Sequence, residues 1–101
     1  MSEVRLESAG DGRYRLAGDL SFETVPALYR RGLPPLAAGR DLTLDLSAVG
    51  RADSAGLALL VEWLRQARAA GARLRLADPP RQLAALIRVA GLAGAFGLAA
   101  A

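Results

Sequence analysis

At 101 residues, with 52% hydrophobic side chains, the chain is long enough to bury one core and too apolar to be disordered. It has no cysteine and no histidine, which excludes disulfide scaffolds and cysteine-bearing metal sites and removes the commonest general base and metal ligand. The net charge of +3 is modest, and the thirteen arginines are scattered among ten acids with no aromatic-interleaved basic patch, which argues against nucleic acid as a partner.

All thirteen basic residues are Arg, a pattern we read as coding bias. Glu3, Arg5 and Glu7 interrupt the N-terminus, so no signal peptide is expected, and a reducing cytoplasm suits the missing cysteine. No stretch reaches the about 20 apolar residues of a membrane span. The nearest, Val89 to Ala101, is short and rich in Gly and Ala, and reads as a terminal packing segment.

Val4, Leu6 and Ser8 alternate with Glu3, Arg5 and Glu7, and Tyr14 and Leu16 with Arg13 and Arg15, the period of half-buried strands. Gly10-Asp11-Gly12 joins them as a hairpin turn. Acids on one strand face arginines on the other, as cross-strand ion pairs or as a solvated face. Ser21 or Thr24 would cap the next helix, Pro26 fits its first turn, and Val25, Leu28 and Tyr29 share its apolar face. Gly32 and Pro34-Pro35 end that helix, and Leu36 packs in a short turn.

Leu42, Leu44 and Leu46 alternate with Thr43, Asp45 and Ser47 in a third strand. A short loop then leads into a helix at Asp53-Ser54-Ala55-Gly56. Its start suits a capped helix, a bound anion or a phosphorylated serine. Leu57, Leu60, Val61, Leu64 and Ala67 fall on one face of this helix, and Gly71 ends it. Arg73 to Ala77 is a fourth strand, Asp78-Pro79-Pro80 a capped helix start, and Leu83, Leu86, Ile87 and Ala90 the face of the last helix. Leu92, Phe96 and Leu98 anchor the tail.

The fold class is therefore α/β: a four-stranded mixed sheet in the order β-β-α-β-α-β-α, covered mainly on one face by helices. A β-α-β crossover makes the third and fourth strands parallel. No internal repeat or linker is visible, so residues 1–101 read as one domain.

Leu16-Ala17-Gly18-Asp19-Leu20 resembles the Leu-x-Gly-Glu-Leu opening of the STAS domain family. Asp45-Leu46-Ser47-x-Val49 followed by Asp53-Ser54-x-Gly56-Leu57 resembles that family's Asp-Leu-Ser…Asp-Ser-Ser-Gly-Leu segment. By resemblance to its anti-sigma factor antagonists, Ser54 is the phosphoacceptor; the sequence departs from them at Ala55, where they carry a second Ser or Thr. It is more similar to the MlaB-type subfamily along Leu20 to Leu28, in Gly56-Leu57-Ala58-Leu59-Leu60, and in Trp63 followed by Gln66-Ala67.

The MlaB-type resemblance implies a non-enzymatic cytoplasmic subunit, peripheral to the inner membrane. Its partner would be the ATPase of a phospholipid ABC transporter that maintains outer-membrane lipid asymmetry. No cofactor or metal is implied. The alternative is an anti-sigma factor antagonist regulated by a serine kinase at Ser54. A small-ligand sensor is a third reading, with no P-loop to support it.

The expected partner-binding residues are Asp53, Ser54, Ala55, Gly56, Leu59, Trp63 and Gln66. Each has a bland counterpart. Ser54 would be a plain helix cap, and Asp53 an acid favoured by the helix dipole or a group that orients Ser54. Gly56 would allow close approach of backbone, internal or from a partner. Ala55, Leu59, Trp63 and Gln66 form a second, mixed stripe, either a flank of the core or a docking surface. Arg51, Arg65 and Arg68 nearby are solvated or steer an acidic partner.

Overall fold

A computed structural model describes residues 4–98; Glu3 of the first expected strand and the last three residues of the tail lie outside them. The strands are β1 (Val4–Gly10), β2 (Arg13–Leu20), β3 (Leu42–Ala52) and β4 (Leu74–Ala77). The helices are α1 (Val25–Arg31), the four-residue α2 (Pro34–Ala37), α3 (Ser54–Ala69) and α4 (Arg81–Val89). Apart from α2, which forms where a short turn was expected, the order is the β-β-α-β-α-β-α read from the sequence.

The sheet runs β1-β2-β3-β4, antiparallel between the first two strands and parallel thereafter. The hairpin turns through Gly10, Asp11 and Gly12, all at positive φ (77°, 50° and 72°) that Gly and Asp reach at low cost. Alternation sorts the two faces. Leu6, Leu16, Leu44, Leu46, Leu74 and Leu76 are buried, whereas Arg5, Glu7, Arg13, Arg15, Arg73 and Arg75 are exposed. Helices α3 and α4 pack on the leucine side, and α3 also touches α1 and α2. Glu7 stands opposite Arg15 in register, yet Glu7 pairs with Arg5 at 3.6 Å and Arg15 with Asp45 of β3 at 3.5 Å.

The third strand departs from expectation. Its alternation runs out at Leu46 and Ser47, after which the sequence reads as a loop, but the strand continues to Ala52 by bulging twice. From Arg15↔Asp45 to Ala17↔Ala48, and again from Gly18↔Val49 to Leu20↔Ala52, two residues advance on β2 while three advance on β3. Burial therefore shifts to every third residue, Leu46, Val49 and Ala52. An aspartate secures each bulge: Asp45 Oδ1 accepts from the Ser47 amide at 2.9 Å, and Asp19 Oδ1 from the Arg51 amide at 3.0 Å.

Three smaller expectations also change. Asp78 does not cap α4; it takes φ 52°, and Pro80 stands at the cap position with no side-chain bond to the helix. Thr24 sits at the cap position of α1, but its buried hydroxyl donates to the Asp19 carbonyl at 2.7 Å and accepts from the Ser21 amide, fastening the turn after β2 instead. Tyr29 and Val61, assigned to apolar faces, are exposed. In the tail Phe96 is fully buried, and its carbonyl accepts from the Leu76 amide at 3.0 Å on the outer side of β4.

Candidate functional site

Helix α3 starts from a platform that one carboxylate holds together. Asp53, in extended conformation, is the N-cap; its Oδ1 accepts from the amides of Ala55 at 2.9 Å and Gly56 at 3.3 Å. Its Oδ2 accepts from the Phe22 amide at 3.1 Å, in the turn between β2 and α1. The Phe22 amide above all, then those of Gly56 and Ala55 and the Arg51 charge, holds the Asp53 carboxyl below the usual carboxylate range. Both oxygens are thus engaged by backbone. Asp53 spends three hydrogen bonds on building the loop.

Ser54 is consequently the first helical residue and not the cap, which corrects the simpler reading of its hydroxyl. It is exposed, and its hydroxyl has no hydrogen-bond partner among the described residues. The helix dipole is positive here, and the preceding residue is the Asp53 carboxylate, on which the Arg51 charge acts. Next to Asp53 lies a cleft of about 190 Å³ whose charged lining is three acids, Asp19, Glu23 and Asp53, and one cation, Arg51.

Gly56 is buried, and the reason is internal. A Cβ there would stand 2.5 Å from the Leu20 carbonyl oxygen and 2.7 Å from Leu20 Cγ. The glycine lets the first turn of α3 settle on the end of β2.

The second stripe along α3 needs correction. Leu59 is 2% exposed and Trp63 not at all, so neither presents a surface. The one-face reading failed because α3 lies on the sheet and has α1, α2 and α4 packed against it, which requires a wide apolar arc. Ala55 is partly exposed. Gln66 is also partly exposed, but its amide donates to Glu62 Oε2 at 3.0 Å. Arg65 grips the same carboxylate with bonds of 2.9 and 2.6 Å, and chiefly through Arg65, Glu62 is lowered to about 2.

The outward stripe is Ser54, Ala58, Val61 and Arg65, all exposed at three- and four-residue spacing. Phe22 stands at its beginning with 79% of its surface exposed, and Tyr29 of α1 lies near Arg65. The sequence reading missed Phe22. An aromatic in a Ser-Phe-Glu turn just after a strand, followed by a capped helix, was the available signal.

Comparison with known proteins agrees with this geometry. The profile of the family described as "Mlab, STAS domain" matches residues 4–99. The chain is 37% identical, over 76% of its length and 77% of the other, to the intermembrane phospholipid transport system binding protein MlaB of Haemophilus influenzae. Among solved structures it superposes on the anti-sigma factor antagonist SpoIIAA in its unphosphorylated form (TM-score 0.67, 17% identity, 85% of this chain and 82% of that one). It also superposes on phosphorylated SpoIIAA of Bacillus (TM-score 0.71, 18% identity, 91% and 86%). Those two likenesses establish the shared fold, and the profile and the MlaB relative establish the family: the chain belongs to the STAS domains of the MlaB type.

Proposed function

We propose that this chain is a non-enzymatic subunit of a phospholipid ABC transporter, a single STAS domain held at the cytoplasmic face of the inner membrane by the transporter's ATPase. The docking surface is the start of α3: Ser54 with Ala55, the exposed stripe through Ala58 and Val61, and the Phe22 ring beside them. Asp53 and Gly56 serve this surface by fixing its backbone. The observation that carries the reading is the unheld Ser54 hydroxyl on a rigid helix start, in a chain 37% identical to a phospholipid transport binding protein. A large exposed aromatic next to a hydrogen-bonding group is the composition of an interface hot spot.

Calorimetric titration of the chain onto the ATPase subunit of a phospholipid ABC transporter from the same cells tests the reading. Ser54→Glu and Phe22→Ala should each weaken binding at least tenfold, or about 1.4 kcal/mol, without unfolding the chain. Unchanged affinity in both variants would refute this surface.

The anti-sigma antagonist reading draws on the same hydroxyl. A serine at a helix start with no internal partner is open to a kinase, and a phosphate there meets the positive end of the helix dipole. Mass spectrometry of the protein from its native cells, finding phosphate on Ser54, would favour that reading.

A further inference from the structure

At the other end of α3 the fold leaves a second cleft, of about 340 Å³, between the helix, β4 and the chain that follows α4. Three of its lining residues are cations: Arg68 from the last turn of α3, Arg73 just before β4, and Arg75 on it. Leu64, Leu74 and the small residues Ala72, Gly94, Ala95 and Gly97 form the rest of the walls, and no acid among the described residues lines the cleft. The Arg75 stem lies along Gly97; a Cβ on that glycine would stand 3.3 Å from Arg75 Cγ.

None of the three guanidinium groups has a counter-ion among the described residues. The ion pairs among the described residues use Arg5, Arg15 and Arg65. Two carboxylates, Asp11 and Asp41, line the adjoining hollow that Arg73 and Arg75 also border; Asp41 accepts from the Arg73 backbone amide at 2.9 Å, and neither acid forms an ion pair with the two guanidinium groups. Three like charges around one concavity repel one another and raise the local concentration of anions. Guanidinium presents paired N–H donors that match the oxygens of a phosphate, and three of them suit a multiply charged group better than a single carboxylate.

From this cleft we propose a second binding site, one that takes a phosphate group. It is independent of the docking surface at Ser54, which lies at the opposite end of a 16-residue helix, roughly 24 Å away along its axis. The phosphate is either free in solution or carried on a lipid headgroup, and the experiment separates the two sources.

The probes are inorganic pyrophosphate, followed by amide NMR shifts on the full chain at low salt, and flotation with phosphatidylcholine vesicles with and without phosphatidylglycerol. Saturable shifts at Arg73, Arg75 and Gly97, with a Kd on the order of 1 mM or tighter, are expected. Combining Arg73→Gln with Arg75→Gln should weaken binding at least tenfold while the chain stays folded in a thermal melt. Arg31→Gln, on α1, should leave affinity within about twofold. Capture by the anionic vesicles, reversed by pyrophosphate, assigns the phosphate to a lipid headgroup; pyrophosphate binding without capture assigns it to a soluble ligand. Absence of both, or an equal loss in Arg31→Gln, which would mean general attraction to a cationic chain, overturns the proposal.

Discussion

The first turn of α3 and its middle turns read alike in sequence but do opposite work. Ser54 and Ala55 open the helix at the surface, on a loop tied down by Asp53. One and two turns later Leu59 and Trp63 lie within the core. Expected as one docking surface, the two regions differ because the sheet and the helices α1, α2 and α4 pack against α3 and bury Leu59 and Trp63. The difference teaches that the exposed positions of α3, Ser54 first among them, can be changed without touching the fold, whereas changes at its buried positions cannot be read as binding effects.

Trp63→Ala tests that separation with the largest expected effect. Removing a fully buried tryptophan should cost about 3–5 kcal/mol, seen in denaturant unfolding. Trp63→Phe sharpens the point. The Trp63 Nε1 donor is buried with no hydrogen-bond partner among the described residues, so phenylalanine loses volume but also removes that donor. It should cost clearly less than alanine. Equal stability of Trp63→Ala and the unaltered chain would mean that the middle of α3 is not core. Leu59→Arg would bury a charge and report on folding, not on binding.

Gly56→Ala comes next. Alanine favours helix by about 1 kcal/mol over glycine, so a free surface position would gain stability. Here the new methyl meets the Leu20 backbone oxygen, which cannot swing aside as a side-chain tip can. A net loss of about 1–3 kcal/mol in the unfolding midpoint is expected.

Asp53→Asn follows, and pH gives it a second readout. The contrast with α4, which begins at Pro80 without a side-chain cap, suggests that α3 needs Asp53 to hold Phe22 as well as to cap the helix. An amide keeps one acceptor oxygen and loses the other, so about 1 kcal/mol should go. Because the folded Asp53 and Asp45 carboxyls titrate below their ordinary value of about 4, their contribution is complete above that pH. It is lost as pH falls through the lower folded values, so acid unfolding should steepen below about pH 4. Asp53→Asn should flatten that dependence. An unaltered pH profile would show that the carboxylate's three bonds carry no charge-dependent stability.

Much of this fold was legible because leucine alternation and glycine turns are local signals. Val4 to Leu16, Leu42 to Leu46, and Leu74 with Leu76 fell where alternation put them. The bulges of β3 were not legible as strand, because Leu46, Val49 and Ala52 recur at three, a spacing that belongs to neither a flat strand nor a plain loop. The acids Asp19, Asp45 and Asp53 carried the family resemblance in sequence, and the fold uses each to satisfy backbone amides. The burial of Trp63 was not legible, since a single sequence does not say how many helices will crowd around α3.

Ser54→Glu should have the smallest effect on stability, and for that reason decides most. The side chain is exposed, its hydroxyl bonds to nothing among the described residues, and the cap belongs to Asp53. A carboxylate in the first turn interacts favourably with the helix dipole, by about 0.3–1 kcal/mol at low salt, and Arg51 adds attraction of the same sign. The neighbouring Asp53 carboxylate opposes it. The balance should leave the melting temperature within a few degrees of the unaltered chain, a change of at most about 0.5 kcal/mol. Measured on the same sample, binding to the ATPase should fall at least tenfold, because the new charge and bulk stand where the partner would meet a small hydroxyl. A melt lowered as far as that of Asp53→Asn would mean that Ser54 is part of the cap after all and that the two regions of α3 are not separable.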